Sequence, residues 1–392
     1  MNFKDAYKIC LKKAETYVNE ITGEPPSSKE DNGKKRYELV RDGFVDSFYA
    51  WTNSHLVGIP IIAAHTERDF KALRWANSFA PYYEQKINAV PVMTMHDVGF
   101  LYLHYSVHMY MLTGDIHHRN TALKAADELV KRFDINLKAL DAWSEAFSEE
   151  KDNRIIIDSM MNNILLFWAW KETGYTIYRD IADAHIRTCI KILVRDDYSV
   201  CHAYFFDHKT GLPTKEGNTC GFANGSHWAR GTAWMVFGLA AAYEYTKEEE
   251  YYDWAVKIGE KFISELKEDD MIPVWDFRLP EDMPARACRN EKSLPKWDET
   301  DPANKIYNRD SSAAAIMSCA FMILDNAKKN SKFSEIADMM LQTLCDKYFE
   351  EDEDFQAMLK HANGAELHVI YGDYYFMLAL AMKNYGFDMW TK

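Results

Sequence analysis

The chain has 392 residues, 47% of them hydrophobic and 14% aromatic, with 46 Lys plus Arg against 60 Asp plus Glu and a formal net charge of −14 at pH 7. A hydrophobic fraction of this size excludes wholesale disorder, and the acidic balance argues against binding nucleic acid or an anionic membrane, since both need basic surface. With 11 Trp and 23 Tyr, many rings must line a surface rather than fill a core, as stacked rings do where they grip sugars.

In chain order, residues 3–22 alternate charged and apolar side chains with a helical period and predict an amphipathic helix. This N-terminus lacks an apolar core of signal-peptide length, and no later segment is long and apolar enough to span a bilayer. A polar stretch from Gly23 to Lys35 with Pro25-Pro26 reads as an interruption, not as a linker between domains. Helical patterns follow near 55–65, 67–80, 97–113, 118–132, 159–173, 177–194, 229–246, 248–266, 311–329, 332–348 and 371–385, about a dozen helices in all. Strand-like alternation is sparse, at 200–206, ending in a turn signal over 207–211.

The helices pair off. Trp228–Tyr243 is apolar or small on nearly every face, as an inner helix is, and the following 247–267 segment is charged and amphipathic, as an outer one is. Alternating inner and outer helices predict an all-α fold, an (α/α)6 toroid in one domain over 1–392. A linear helical repeat is disfavoured because no fixed sequence period recurs. Residues 273–310, with five prolines (Pro273, Pro280, Pro284, Pro295, Pro302), form a long loop placed at the mouth of the toroid. The seven cysteines are scattered, with no CxxC pair and no metal-type Cys/His spacing, which predicts free thiols in a reducing compartment, the cytoplasm, and neither metal nor cofactor.

Three aspartates stand at apolar helix starts: Asp97 in Met93-Thr-Met-His-Asp-Val-Gly-Phe100, Asp158 in Arg154-Ile-Ile-Ile-Asp158, and Asp310 before Ser311-Ser-Ala-Ala-Ala315. Each could be a helix cap worth about 1 kcal/mol. For Asp158 the sharper reading is a carboxylate in an apolar pocket (Ile155, Ile156, Ile157, Met160, Met161), able to hold a proton near neutral pH. The recurrence suggests a fold that gathers helix N-termini at one end, where two carboxylates share a cleft.

Five ordered motifs carry a resemblance over nearly the whole chain: His96-Asp-Val-Gly-Phe100, Ile157-Asp-Ser-Met-Met-Asn162, Trp228-Ala-Arg-Gly-Thr-Ala-Trp234, Asp310-Ser-Ser-Ala-Ala-Ala315 and Ile370-Tyr-Gly-Asp-Tyr-Tyr375. The chain resembles the unsaturated glucuronyl hydrolases of glycoside hydrolase family 88, six-hairpin α/α toroids. The resemblance implies removal of unsaturated uronic acid from the non-reducing end of lyase-generated, glycosaminoglycan-type oligosaccharides. The reaction is hydration of the C4=C5 enol ether, not displacement at the anomeric carbon, so the carboxylate-spacing rule for other glycosidases does not apply. It implies Asp158 as general acid and base, and Asp97 as a second carboxylate that holds sugar hydroxyls and raises its partner's pKa by like charge. His96, His202, Trp143, Trp228, Arg230 and Trp234, with Trp51, are then substrate-binding residues, Arg230 matching the uronate carboxylate bidentately.

Plainer readings stand beside these. Without the motif context, His202 and Trp143 read as packed core, Arg230 as the partner of an internal Asp or Glu, Asp310 as a structural cap, and the Tyr371–Tyr375 aromatics as packing. The chain departs from the family pattern at His55 and Leu56 after Trp51, at Thr219-Cys220, and in 359–368, which lacks the Ser/Lys pattern of members favouring sulfated chondroitin disaccharides. These departures leave the choice of substrate open. The rivals are an unsaturated rhamnogalacturonyl hydrolase, a sugar epimerase using His202, His208 and His227, and a catalytically silent glycan-binding protein. The expected ligand is an anionic unsaturated uronyl oligosaccharide, with neither nucleic acid nor membrane as partner, on a monomer or homodimer.

Overall fold

A computed structural model describes residues 1–28, 34–40, 51–89, 95–143, 153–267, 270–279, 309–365 and 367–387. Stretches that are apolar or small all round become its inner wall. Among them are α2 (Asn53–Glu67), buried at every residue from Asn53 to Ala64, and α5 (Val98–Tyr102), which continues through a π-helical turn, Leu103–Val107, into α6 (His108–Thr113). The others are α8 (Ser159–Asn162), α9 (Ile164–Thr173), α11 (Ala229–Thr246), α13 (Ser311–Ala327) and α15 (Ile370–Tyr385). The ring closes: α2 packs on α5, α5 on α8, α8 on α11, α11 on α13, α13 on α15, and α15 back on α2.

Amphipathic helices cover this ring from outside. They are α1 (Phe3–Glu20), α3 (Phe70–Asn77), α4 (Ala80–Ala89), α7 (Ile116–Val130), α10 (Thr176–Leu193), α12 (Glu249–Ser264) and α14 (Ser331–Thr343). On α12, for example, Tyr251, Tyr252, Ala255, Ile258, Gly259 and Phe262 are buried, the three-to-four spacing of one apolar stripe. It packs on α11, as α14 does on α13 and α10 on α9. The expected all-α toroid is the observed architecture.

Some boundaries differ from the sequence reading. The helix expected over 67–80 is two, because Asp69 caps α3 through the amides of Lys71 and Ala72 and the chain turns again at Ser78. The helix expected over 118–132 starts earlier, at the Asp115 cap. The strand signal at 200–206 is β2 (Ala203–Phe206), flanked by β1 (Arg154–Ile156) and β3 (Pro213–Gly217) in an antiparallel sheet, with Ile156 opposite Ala203. The β-branched Ile155 and Ile156, read as the approach to a helix, favour that pleated position. The polar stretch 23–35 is described except for 29–33; Ser27–Ser28 pairs with Leu39–Val40. Of the long loop, 280–308 lie outside the described residues, so its place at the mouth does too. Its two ends meet, Asp310 N–H donating to Pro273 C=O at 2.9 Å. Cys288 falls in the same undescribed stretch, and the other six cysteines are free.

Candidate active site

The inner helices bring their N-terminal ends together. Trp51 lies just before α2, Asp97 before α5, Asp158 before α8, Trp228 before α11 and Asp310 before α13; Arg230 and Tyr371 sit in the first turns of α11 and α15. Ring contacts stitch these ends into one wall. Trp51 stacks on Tyr371 at 5.1 Å and tilts against Phe100 at 5.3 Å, and Phe100 meets the buried Trp234 at 5.4 Å.

Asp97 and Asp158 are linked by one side chain. Asn162 accepts from the Phe100 amide at 2.7 Å, while its Nδ2 donates to Asp97 Oδ1 at 3.0 Å and to the Asp158 carbonyl at 3.4 Å. Gly99 makes the approach feasible: a Cβ there would lie 2.4 Å from Asn162 Cα, so only a bare Cα lets α5 cross α8 this closely. Neither carboxylate caps its helix. This corrects the cap reading of Asp158: its backbone is already helical (φ −59°, ψ −26°), which withdraws the side chain from the amides ahead.

Burial raises the pKa of both carboxyls. That of Asp97 goes to about 7, by burial first and then by the negative charge of Asp158, against the pull of Asn162 and Arg132. Asp158 is raised by burial and held down by His202 and Arg230. The like-charge effect therefore falls on Asp97, the more enclosed of the two, where the sequence reading put it on its partner. The flanking Ile155, Ile156, Ile157, Met160 and Met161 are buried, and Asp158 Oδ2 has no hydrogen-bond partner among the described residues.

His202 faces that oxygen, its Nε2 lying 3.9 Å from Asp158 Oδ2. The Thr219 amide donates to His202 Nδ1 at 3.3 Å, so the ring's one proton sits on Nε2, toward the carboxylate. Burial, only partly offset by Asp158, lowers the His202 pKa to about 4 and keeps the ring neutral at pH 7. The Ile157 amide donates to the His202 carbonyl at 2.9 Å and ties the two residues through the backbone. His96 Nε2 lies 3.5 Å from Asp97 Oδ1, and its amide donates to the Ala142 carbonyl, which brings in the half-buried Trp143 with the Arg154 guanidinium 4.1 Å from its ring centre. Trp228 meets His202 edge-on at 5.3 Å.

Arg230 is 5% exposed and lies between two ring faces, 4.7 Å from Trp228 and 4.8 Å from Tyr371. Its Nη1 donates to Asp310 Oδ2 at 2.9 Å and to Asn363 Oδ1 at 3.3 Å. Asp310 does cap α13, as expected, with its other oxygen. The internal acid that the sequence reading held open for Arg230 is thus Asp310. Tyr371, read as packing, belongs to the wall, while Tyr374 and Tyr375 reach the buried His104. Asn162, Asn363 and the Thr219 amide were missed. Of these only Asn162 carried a signal, four residues after Asp158 and so on the same helical face. His208 lies apart, on Asp134, and His227 packs on Phe277. Among the described residues no group of three or more His, Cys, Asp or Glu side chains is placed to hold a metal.

No protein-family model matches the chain. It is 28% identical over 349 residues to the unsaturated glucuronyl hydrolase of Bacillus sp. strain GL1, covering 86% of each chain. It is 30% identical over 345 residues to the unsaturated chondroitin disaccharide hydrolase of Streptococcus pyogenes serotype M1, covering 84% of this chain and 80% of that one. The crystal structure of the Bacillus sp. GL1 unsaturated glucuronyl hydrolase superposes with a TM-score of 0.84 at 26% identity, over 100% of this chain and 98% of the other.

Proposed function

The chain belongs to the unsaturated glucuronyl hydrolase family, and from that premise we propose that its cleft removes 4,5-unsaturated glucuronic acid from the non-reducing end of lyase-generated glycosaminoglycan oligosaccharides. The observation that carries the reading is the Asp97–Asp158 pair: a buried Asp97 carboxyl and a partly enclosed Asp158 joined through Asn162, which holds the Asp97 carboxylate and the Asp158 backbone carbonyl, both carboxyls raised in pKa, with one oxygen of Asp158 unpartnered among the described residues. Carboxyls desolvated in this way keep a proton to higher pH than exposed ones.

In this reading Asp158 gives its proton to C4 of the enol ether, and positive charge develops at C5 and the ring oxygen. The resulting carboxylate takes a proton from a water as its oxygen bonds to C5. The hemiketal then opens: C5 becomes a ketone, the ring oxygen becomes a hydroxyl on C1, and C1 collapses to an aldehyde, releasing the aglycone alcohol. His202, with its proton on Nε2, orients the Asp158 carboxylate. Asp97, held by Asn162, accepts from sugar hydroxyls and keeps the pair short of full ionisation. Arg230 receives the uronate carboxylate, and Trp51, Trp143, Trp228 and Tyr371 provide ring faces for the sugar. The buried Trp234 and His96 support that wall and Asp97 from behind.

The six described cysteines are free thiols, which supports a reducing compartment, the cytoplasm. Among the described residues no helix is long and apolar enough to cross a membrane. A monomer or homodimer is the expected state, to be read by light scattering.

The test follows the absorbance of the conjugated enol ether on unsaturated disaccharides from chondroitin, hyaluronan, heparin and a pectic source. Loss on a glycosaminoglycan product, abolished in Asp158→Asn, is the expected result. Loss on the pectic product alone moves the chain to rhamnogalacturonyl chemistry. No loss on any of them sinks the hydrolase reading.

A further inference from the structure

The cleft contains a conflict. A guanidinium that receives the uronate carboxylate also favours the ionised form of a nearby acid, and Arg230 does pull the Asp158 pKa down. Yet Asp158 must start the reaction protonated. Something has to offset the arginine without displacing it.

Asp310 is placed to do this. Its Oδ1 accepts from the Ser312 amide at 3.1 Å and the Ala313 amide at 3.2 Å, and also from the Ser312 hydroxyl. That discharges the duty of a cap, which Ser, Thr or Asn performs with one oxygen and no charge. The second oxygen and the negative charge are surplus to the helix. They go to Arg230 Nη1, at a carboxylate that is 0% exposed. A buried charge is costly unless paired, so the helix alone gives no reason for Asp over Asn here. The backbone fixes Asp310 as well: its amide donates to Pro273, and the next amide, of Ser311, donates to His361. Asn363, the other acceptor for Nη1, sits in left-handed backbone at φ 61°, close after His361 at φ 58°. A left-handed non-glycine residue as the guanidinium's second acceptor fits a position held for function.

Resting on the uronate-binding role of Arg230 given above, we propose that Asp310 is a positioning residue of the reaction: it anchors and half-neutralises Arg230, so that the arginine takes the substrate carboxylate without stripping the proton from Asp158. The charged and titratable groups facing Asp158 are then Asp97 from the start of α5, His202 ahead of β2, and Arg230 on α11 with Asp310 behind it. Arg154 faces His202 and His96, and Arg132 faces Asp97. Bound uronate gives Arg230 a second carboxylate, so the acid keeps its proton to higher pH in the complex than in the free enzyme.

The test is the pH profile of kcat/KM for Asp310→Asn, which keeps the cap oxygen and replaces the charge and the oxygen facing Arg230 with an amide nitrogen that cannot accept. The alkaline limb, where the acid loses its proton, is expected to move to lower pH by roughly one pH unit, because Arg230 then favours the ionised acid more strongly. In an Arg230→Gln background the same substitution is expected to move the limb by less, because the anchoring contact it breaks is already gone. A limb that superimposes on wild type, with only a lower melting temperature, overturns the proposal and leaves Asp310 a cap. If Asp310→Asn does not fold, wild type decides: the kcat limb must lie above the kcat/KM limb, and coincident limbs overturn the proposal. Wild type inert toward every unsaturated disaccharide defeats the hydrolase reading itself, whereas turnover with an unmoved limb defeats only the role of Asp310.

Discussion

Asp158 and Asp310 occupy the same place in the chain, the residue before a buried inner helix, and do different work. Asp310 has extended backbone (φ −124°, ψ 92°), which turns its carboxylate onto the amides of the first helical turn. Asp158 is already helical, as is Asp97 (φ −67°, ψ −1°), and neither side chain reaches an amide of its own helix. Extended backbone spends the carboxylate on the helix; helical backbone leaves it to the cleft. Asp310 does both only because a cap needs one oxygen and a carboxylate has two.

The sharpest way to break this comparison is Asp158→Asn. With no cap bond to lose, the variant is expected to melt within about 2 °C of wild type while kcat falls by about a thousandfold or more, the share of a general acid and base. A large fall in melting temperature with residual turnover would return Asp158 to the cap reading. Next in size is Gly99→Ala, whose new Cβ would collide with the Asn162 backbone and push the two carboxylates apart. Overpacking of this kind costs about 1–3 kcal/mol, and a displacement near 1 Å at the reacting groups costs about 100-fold in kcat. Gly259→Ala, on outer helix α12, is the control. Its Cβ would meet the Phe321 ring at 2.9 Å, so stability should fall and kcat should hold. Equal kcat losses in the two would mean that the Gly99 crossing does not set the carboxylate geometry.

Much of this was legible in the chain because helix starts have a grammar. An Asp before an apolar run marks an inner helix N-terminus, and three such marks pointed to one end of a toroid. The sequence carries no sign of the backbone angle at the cap position, so Asp97, Asp158 and Asp310 looked alike until the fold separated them. Arg230 announced that it needed an anion, but not which one, since Asp310 is 80 positions away and its second oxygen writes no pattern. Tyr371 was lost in a run of aromatics, where helical phase alone sends it to Trp51 and Arg230 while Tyr374 and Tyr375 go to His104. The strand at 154–156 was missed because its partners are 203–206, too distant for a local signal.

The two cleft carboxyls also differ from ordinary ones in how they bear on stability. The Asp97 pKa rises from 3.8 to about 7 on folding, so the folded chain binds more protons than the unfolded chain between those values. Stability is therefore lost as pH rises through that window. Asp97→Asn removes this penalty, worth at most about 4 kcal/mol. The variant should melt above wild type at pH 8 and together with it near pH 4. Asp373, also raised to about 7 by burial and bonded to Tyr37 and the Leu359 amide, stays in both proteins, so part of the pH dependence should persist. Parallel melting curves from pH 4 to 8 would show that Asp97 ionises as freely in the fold as outside it.

The smallest expected effect lies one layer behind Asp158. The Leu140 amide donates to His185 Nδ1 at 3.1 Å, so the His185 proton is on Nε2, 2.7 Å from Ser159 Oγ, which in turn donates to the Ile156 carbonyl. Burial lowers the His185 pKa to about 3, which keeps the ring neutral and the direction of this chain fixed. It joins the strand carrying Ile156 to the helix that begins beside Asp158. Ser159→Ala leaves the His185 N–H only the weak Cys189 Sγ acceptor at 3.4 Å, at a cost of about 1 kcal/mol, and loosens the joint by little, because Ile157 still bonds to His202. The expected result is a lower melting temperature with kcat reduced only a few-fold and the pH limbs unmoved. A shifted limb would bring Ser159 and His185 into the proton inventory of the cleft, and the line between the carboxylate that reacts and the scaffold that holds it would have to be drawn further back.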